Sequence, residues 1–100
     1  MLKTVDRVIN FPSNTNLDNM VSYYRSLFNA QGIKNNLPDI QLDETKPFGN
    51  ALDESDFSLK KDFADVNRWL YNLKNEHATV EIADFIIRGN KAIIRVKIGK

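Results

Sequence analysis

Few residues in this chain could do chemistry, and their spacing gives them little to do. The single histidine, His77, could transfer a proton, but only beside a group that orients it, and no carboxylate partner is fixed by the spacing. There is no cysteine, which excludes a thiolate nucleophile and a cysteine-ligated metal. Asp53, Glu54 and Asp56 could suggest calcium. On a strand, however, Glu54 and Asp56 would share a face while Asp53 points away. A calcium loop with its central glycine and terminal glutamate is also missing. Gly32, Gly49, Gly89 and Gly99 are isolated, so no phosphate-cradling loop is formed. These residues point away from an enzyme, and neither cofactor nor metal is expected.

The composition points the same way. One hundred residues with 42% apolar content suit one small domain. A net charge of +1 gives no general reason to expect a polyanion partner. The charge is segregated, however. Residues 39–56 hold six acids against Lys46, and residues 88–100 hold Arg88, Lys91, Arg95, Lys97 and Lys100 with no acid. Apolar runs such as Phe85-Ile86-Ile87 are far too short to span a bilayer. "LKTVDR" after Met1 resembles neither a signal peptide nor an anchor. The expectation is a soluble protein, or the soluble part of something longer.

The elements that must position these residues are read from spacing. Residues 1–12 read as an extended lead-in, with a domain over 13–100. Ser13 to Asn16 are helix-capping types. Leu17, Met20, Val21, Tyr24, Leu27 and Phe28 then recur at helical spacing, and Gly32 stands where a helix would stop. "PDIQLDE" at 38–44 suits a short strand, and "KPFGN" at 46–50 a turn. Phe57 and Leu59 alternate with Ser58 and Lys60, which predicts a strand over 56–60, with Asp62 capping the next helix. That helix, from about Phe63 to Glu76, carries a stripe of Phe63, Val66, Leu70 and Leu73. Trp69 lies roughly 60–80° off the stripe centre, on the shoulder of the buried face.

"ATVEIADFIIR" and "KAIIRVKIGK" flank Gly89-Asn90 and predict a two-residue hairpin. Uninterrupted pairing sets Phe85, Ile94 and Val96 on the apolar face, under the helices. It sets Val80, Ile82, Ile86 and Ile93 on the other face among Arg88, Arg95 and Lys97, with Asp84 opposite Arg95. The predicted core is Tyr24, Phe28, Phe63, Val66, Trp69, Leu70, Leu73, Phe85, Ile94 and Val96. The predicted partner surface is Val80, Ile82, Ile86, Ile93 and Arg95.

The order of elements, helix-strand-strand twice over, leads to a resemblance. "FADVNRWLYNLKNEHATVEIADFIIRGNKAIIRVKI" resembles the C-terminal half of PilO-like proteins and of the M-type protein of type II secretion. It carries their aromatic, aliphatic, Trp-aliphatic and Leu pattern as Phe63, Val66, Trp69, Leu70 and Leu73. "FPSNTNLDNMVSYYRSLFNAQGI" is similar to the Pro-led helix that opens the PilO soluble domain. The resemblance implies an α+β, circularly permuted ferredoxin-like fold, αββαββ, with two helices on one face of a four-stranded antiparallel sheet. It implies a non-catalytic scaffold of the inner-membrane assembly platform of type IV pili or type II secretion. Such a scaffold lies on the periplasmic side and dimerises with itself or with a sister protein of similar fold. Membrane attachment would come only through a segment absent from this chain.

Two other readings compete. One is a small accessory protein of a mobile element that binds a host protein. The other is an RNA-binding ferredoxin-like module, which would need aromatics on the open face where the sequence offers Ile82, Ile86 and Ile93. Nucleic acid and small-molecule substrates are therefore not the expected partners.

Overall fold

The computed structural model describes residues 2–13, 15–41 and 54–100, with 54–57 by backbone alone. The elements run β1 (Lys3–Asn10), α1 (Leu17–Ala30), α2 (Glu54–Glu76), β2 (Thr79–Arg88) and β3 (Lys91–Gly99). The described residues thus form a small α+β fold of two helices and a three-stranded sheet in the order β1-β3-β2. Both neighbouring pairs are antiparallel. The last strand lies in the middle and the first strand of the hairpin at an edge.

The segment read as a lead-in is extended backbone, but it belongs to the sheet. Residues 3–10 pair along the whole of β3, from Lys3 opposite Ile98 to Asn10 opposite Lys91. This pairing joins the two ends of the chain, so nothing local in the sequence announces it.

Helix α1 begins where its capping residue allows. The Asn16 side chain accepts the Asn19 backbone N–H at 3.0 Å, satisfying one of the amides left open in the first turn. Gln31 caps the other end, Gly32 takes the left-handed φ of +70°, and Ile33 folds back into the core. Lys74 donates from Nζ to the Gln31 carbonyl, and Gln31 Nε2 donates to Asn67 Oδ1 at 2.6 Å. The end of α1 is thereby tied to α2.

Helix α2 corrects two expectations. Residues 56–60 are helical and not a strand, and Asp62 lies inside the helix rather than capping it. The reason is visible in the spacing. Leu59, Phe63, Val66, Leu70 and Leu73 continue one stripe at intervals of four, three, four and three. Leu59 is buried in the core with Val66 and Leu70. Alternation over so few residues could not distinguish a strand from the first turns of that helix. Asp62 instead lies near the end of β1, where the backbone N–H of Asn10 favours its ionised form.

The strand predicted over 38–44 is also corrected where it can be seen. Residues 35–41 form no strand, and 42–44, like the turn at 46–50, lie outside the described residues. Instead this stretch runs along α1. Ser22 Oγ donates to the Ile40 carbonyl at 2.6 Å, and Arg25 pairs with Asp39 at 3.2 Å.

The core sits between the helices and one sheet face. Met20, Tyr24, Phe28, Val66 and Leu70 meet Ile9, Ala92, Ile94, Val96 and Ile98. Phe63, Trp69, Leu73 and Phe85 pack against this cluster while keeping some exposure. Tyr24 is the aromatic hub, with ring centroids 5.3 Å from Phe63 and 5.5 Å from Phe85. Burial pushes its phenol well above the usual value.

Candidate partner-docking face

The site begins with one irregularity in the hairpin. From the Gly89 turn, with φ at +57°, the pairs run as the two-residue loop requires: Arg88 with Lys91, Ile86 with Ile93, Asp84 with Arg95. Between Asp84 and Ile82 the register shifts, leaving Ala83 as the extra residue of a β-bulge. Below it Ile82 pairs with Val96, Glu81 with Lys97 and Val80 with Ile98.

A one-residue shift reverses the face of everything beyond it. Ile82 therefore turns into the core, where only 4% of it is exposed, and Val80 packs against the same cluster. This corrects the expected partner surface. Val80 and Ile82 are not on the open face, whereas Ile86, Ile93 and Arg95 are. Glu81 moves the other way, and a parallel bridge with Lys34 holds it at the sheet edge.

Strand β1 supplies the rest of the face. Its odd residues, such as Val5 and Ile9, point to the core, and its even residues share the open side. The registers then set four rows across the three strands: Asn10–Lys91–Arg88, Val8–Ile93–Ile86, Asp6–Arg95–Asp84 and Thr4–Lys97–Glu81. The second row is wholly aliphatic. Val8 is 53% exposed, Ile86 and Ile93 are half-buried, and none of the three belongs to the core cluster. Val8 and Asp6 were missed by sequence reasoning. The β-branched run Thr4, Val5, Val8 and Ile9 was the available signal.

The row beside the aliphatics is electrostatically ordered. Arg95 donates to both carboxylate oxygens of Asp6, Nε to Oδ1 at 3.0 Å and Nη2 to Oδ2 at 3.2 Å. Its Nη1 stands 4.0 Å from Asp84. The guanidinium hydrogen bond lowers the Asp6 carboxyl below its usual range and raises Arg95 above its own. The Asn10–Lys91–Arg88 row on the opposite flank is basic and exposed. The face therefore has an apolar middle, a cationic side and a side where two carboxylates flank one arginine.

Other surfaces offer less. A cavity of about 300 Å³ lies along the outer side of β2, lined mainly by Val21, Leu37, Ile82 and Phe85, with Asp84 the one charged residue among its described lining. An open polar groove between the helices includes Gln31, Asn67, Arg68 and Tyr71. His77 follows the end of α2, and its Nε2 is 3.9 Å from Glu76. No group of acids or histidines that could hold a metal ion occurs among the described residues. Nor, among them, is any helix long and apolar enough to cross a membrane. The acidic run Asp53, Glu54 and Asp56 falls where no side chain is described.

Compared with known proteins, the chain matches no family model, no curated protein and no solved structure.

Proposed function

We propose that this chain is a non-catalytic docking domain that holds another folded protein against the open face of its sheet. The Val8–Ile93–Ile86 row carries this reading. An aliphatic band at the centre of an exposed sheet, bordered on both sides by charge, has the anatomy of a protein interface: apolar middle and polar rim. Among the described residues no aromatic lies on that face, so they supply no platform for the stacking on which single-stranded RNA recognition depends.

The resemblance to PilO-like and M-type proteins favours one setting for such a domain. It is the periplasmic side of an inner-membrane assembly platform for type IV pili or type II secretion, with the chain itself or a sister protein as partner. A central last strand and an edge strand at the start of the hairpin support this reading. The permuted ferredoxin-like topology needs more strands than the described residues supply, and residues 56–60 are helical. The proposal therefore rests on the sheet face and not on that topology. An accessory protein of a mobile element could use the same face for a host partner.

Because the chain has no cysteine, a single Val8→Cys or Ile93→Cys can carry a photo-crosslinker at one defined place. Crosslinks in cells should form from these positions and not from Tyr71→Cys on α2, and mass spectrometry of the adducts identifies the partner. Capture of this chain or of a pilus or secretion platform protein supports the scaffold setting. Adducts formed only from position 71 overturn the docking face.

A further inference from the structure

We infer that the occupant of the open face is a second copy of this chain, packed sheet against sheet with its strands antiparallel to those of the first. This inference rests on the docking reading of the same face and adds the partner and its orientation. Two sheets meeting face to face in a closed pair are related by a two-fold axis lying in the interface. If that axis ran along β3, each row would face its own copy with β1 over β2, setting Lys91 on Lys91, Arg95 on Arg95 and Asp6 on Asp84, like charge on like. If it runs across the strands, along Val8–Ile93–Ile86, the rows are reversed.

The reversed arrangement is self-complementary. The aliphatic row then lies on its own copy at the centre of the interface. The rows on either side lie two residues, about 7 Å, from the axis. Arg88 of each copy comes over Asp84 of the other, so the two-fold generates this ion pair twice. Asn10 comes over Asp6, where its amide can donate to a carboxylate. Lys91 faces Arg95, whose charge is already shared between Asp6 and Asp84 within its own chain. Aligned sheets pack about 10 Å apart and about 30° askew, which keeps rows this near the axis within side-chain reach. A face only three strands wide lies at the small end for specific association, so the dimer should dissociate on dilution.

Exchanging the charges tests both the copy and its orientation. Arg88→Asp alone sets the new carboxylate against Asp84 of the other copy. Asp84→Arg alone sets the new guanidinium against Arg88 of the other copy. Each variant, shown to be folded by circular dichroism, should dimerise about tenfold or more weakly than wild type in sedimentation velocity. Mixed together, they should form a one-to-one heterodimer, because attraction is restored between the two exchanged positions across the two-fold. If the Asp84→Arg variant fails to fold because its new cation lies beside Arg95, Asp84→Asn with Arg88→Gln replaces the exchange. Each of these neutral variants should weaken the dimer, and combining both in one chain should weaken it no further than the stronger single. A mixture of folded charge-exchanged variants that stays monomeric, or neutral variants whose losses simply add, overturns the antiparallel arrangement. A wild type that is monomeric throughout overturns the second copy; capture of a different protein that is lost on Ile93→Lys would then leave the docking reading in place.

Discussion

Arg95 holds Asp6 by two hydrogen bonds, at 3.0 and 3.2 Å, across nearly the full length of the chain. The pair joins the first strand to the last on the open face. The lowered Asp6 carboxyl gives its contribution a sign. A carboxyl that is more acidic in the folded state stabilises above the ordinary carboxylate range. That contribution is lost as the pH falls through the lowered value. Both groups are exposed, so the effect is modest. Asp6→Asn should melt below wild type at neutral pH, and the two curves should converge in strong acid. A gap that persists unchanged at acid pH contradicts the assignment.

The bulge at Ala83 separates two isoleucines that regular pairing would set on one face. Ile82→Ala should cost about 2–4 kcal/mol, as truncation of a buried side chain does. Ile86→Ala, on the open face, should cost no more than about 1 kcal/mol. Urea denaturation measures both, and equal losses would mean that Ile82 is not buried.

Asp62 reports on where α2 begins. Burial, then the nearby charge of Asp65, raises its carboxyl above the usual range. A raised carboxyl in the folded state destabilises once ionised, so stability falls as the pH rises through that value. Asp62→Asn keeps an acceptor for the Asn10 N–H and removes the charge. It should melt above wild type at neutral pH, and the advantage should vanish in acid. Backbone chemical shifts should be helical over 58–61. Extended shifts there restore the strand and the cap that the alternation suggested.

Trp69 lies on the flank of the core with the Arg7 guanidinium 5.5 Å from its ring centroid. Trp69→Ala should cost about 3 kcal/mol, at the low end for a large aromatic because the ring keeps some exposure. Arg7→Ala should cost about 0.5–1 kcal/mol. A double-mutant cycle in urea isolates the contact, and no coupling between the two would mean that the arginine adds nothing there.

What could be read from the sequence was local. The 3.6-residue stripe from Met20 to Phe28, the capping types over residues 13–16 and the hairpin at Gly89-Asn90 each depend on residues within a turn or two of one another. What could not be read depends on contacts between distant residues. Nothing near Lys3 to Asn10 says that β3 will pair with it, so Asp6 and Val8 are not legible as members of the candidate face and only its hairpin half is. The bulge at Ala83 is a second case: two registers differ there by one residue, and burial of Ile82 against Val96 decides between them. The start of α2 is a third, because Phe57 and Leu59 fit a strand until Leu59 is counted with Phe63 and Val66.

The central claim, that the open sheet face is where this protein meets its partner, is tested most directly by amide spectra of the isotopically labelled chain. They would be recorded from dilute to concentrated solution and again with any captured partner added. Signals of Asp6, Val8, Ile86, Ile93 and Arg95 should move together, while those of Tyr71 and Lys74 on α2 stay fixed. Movement at Tyr71 and Lys74 with a silent open face would contradict the account.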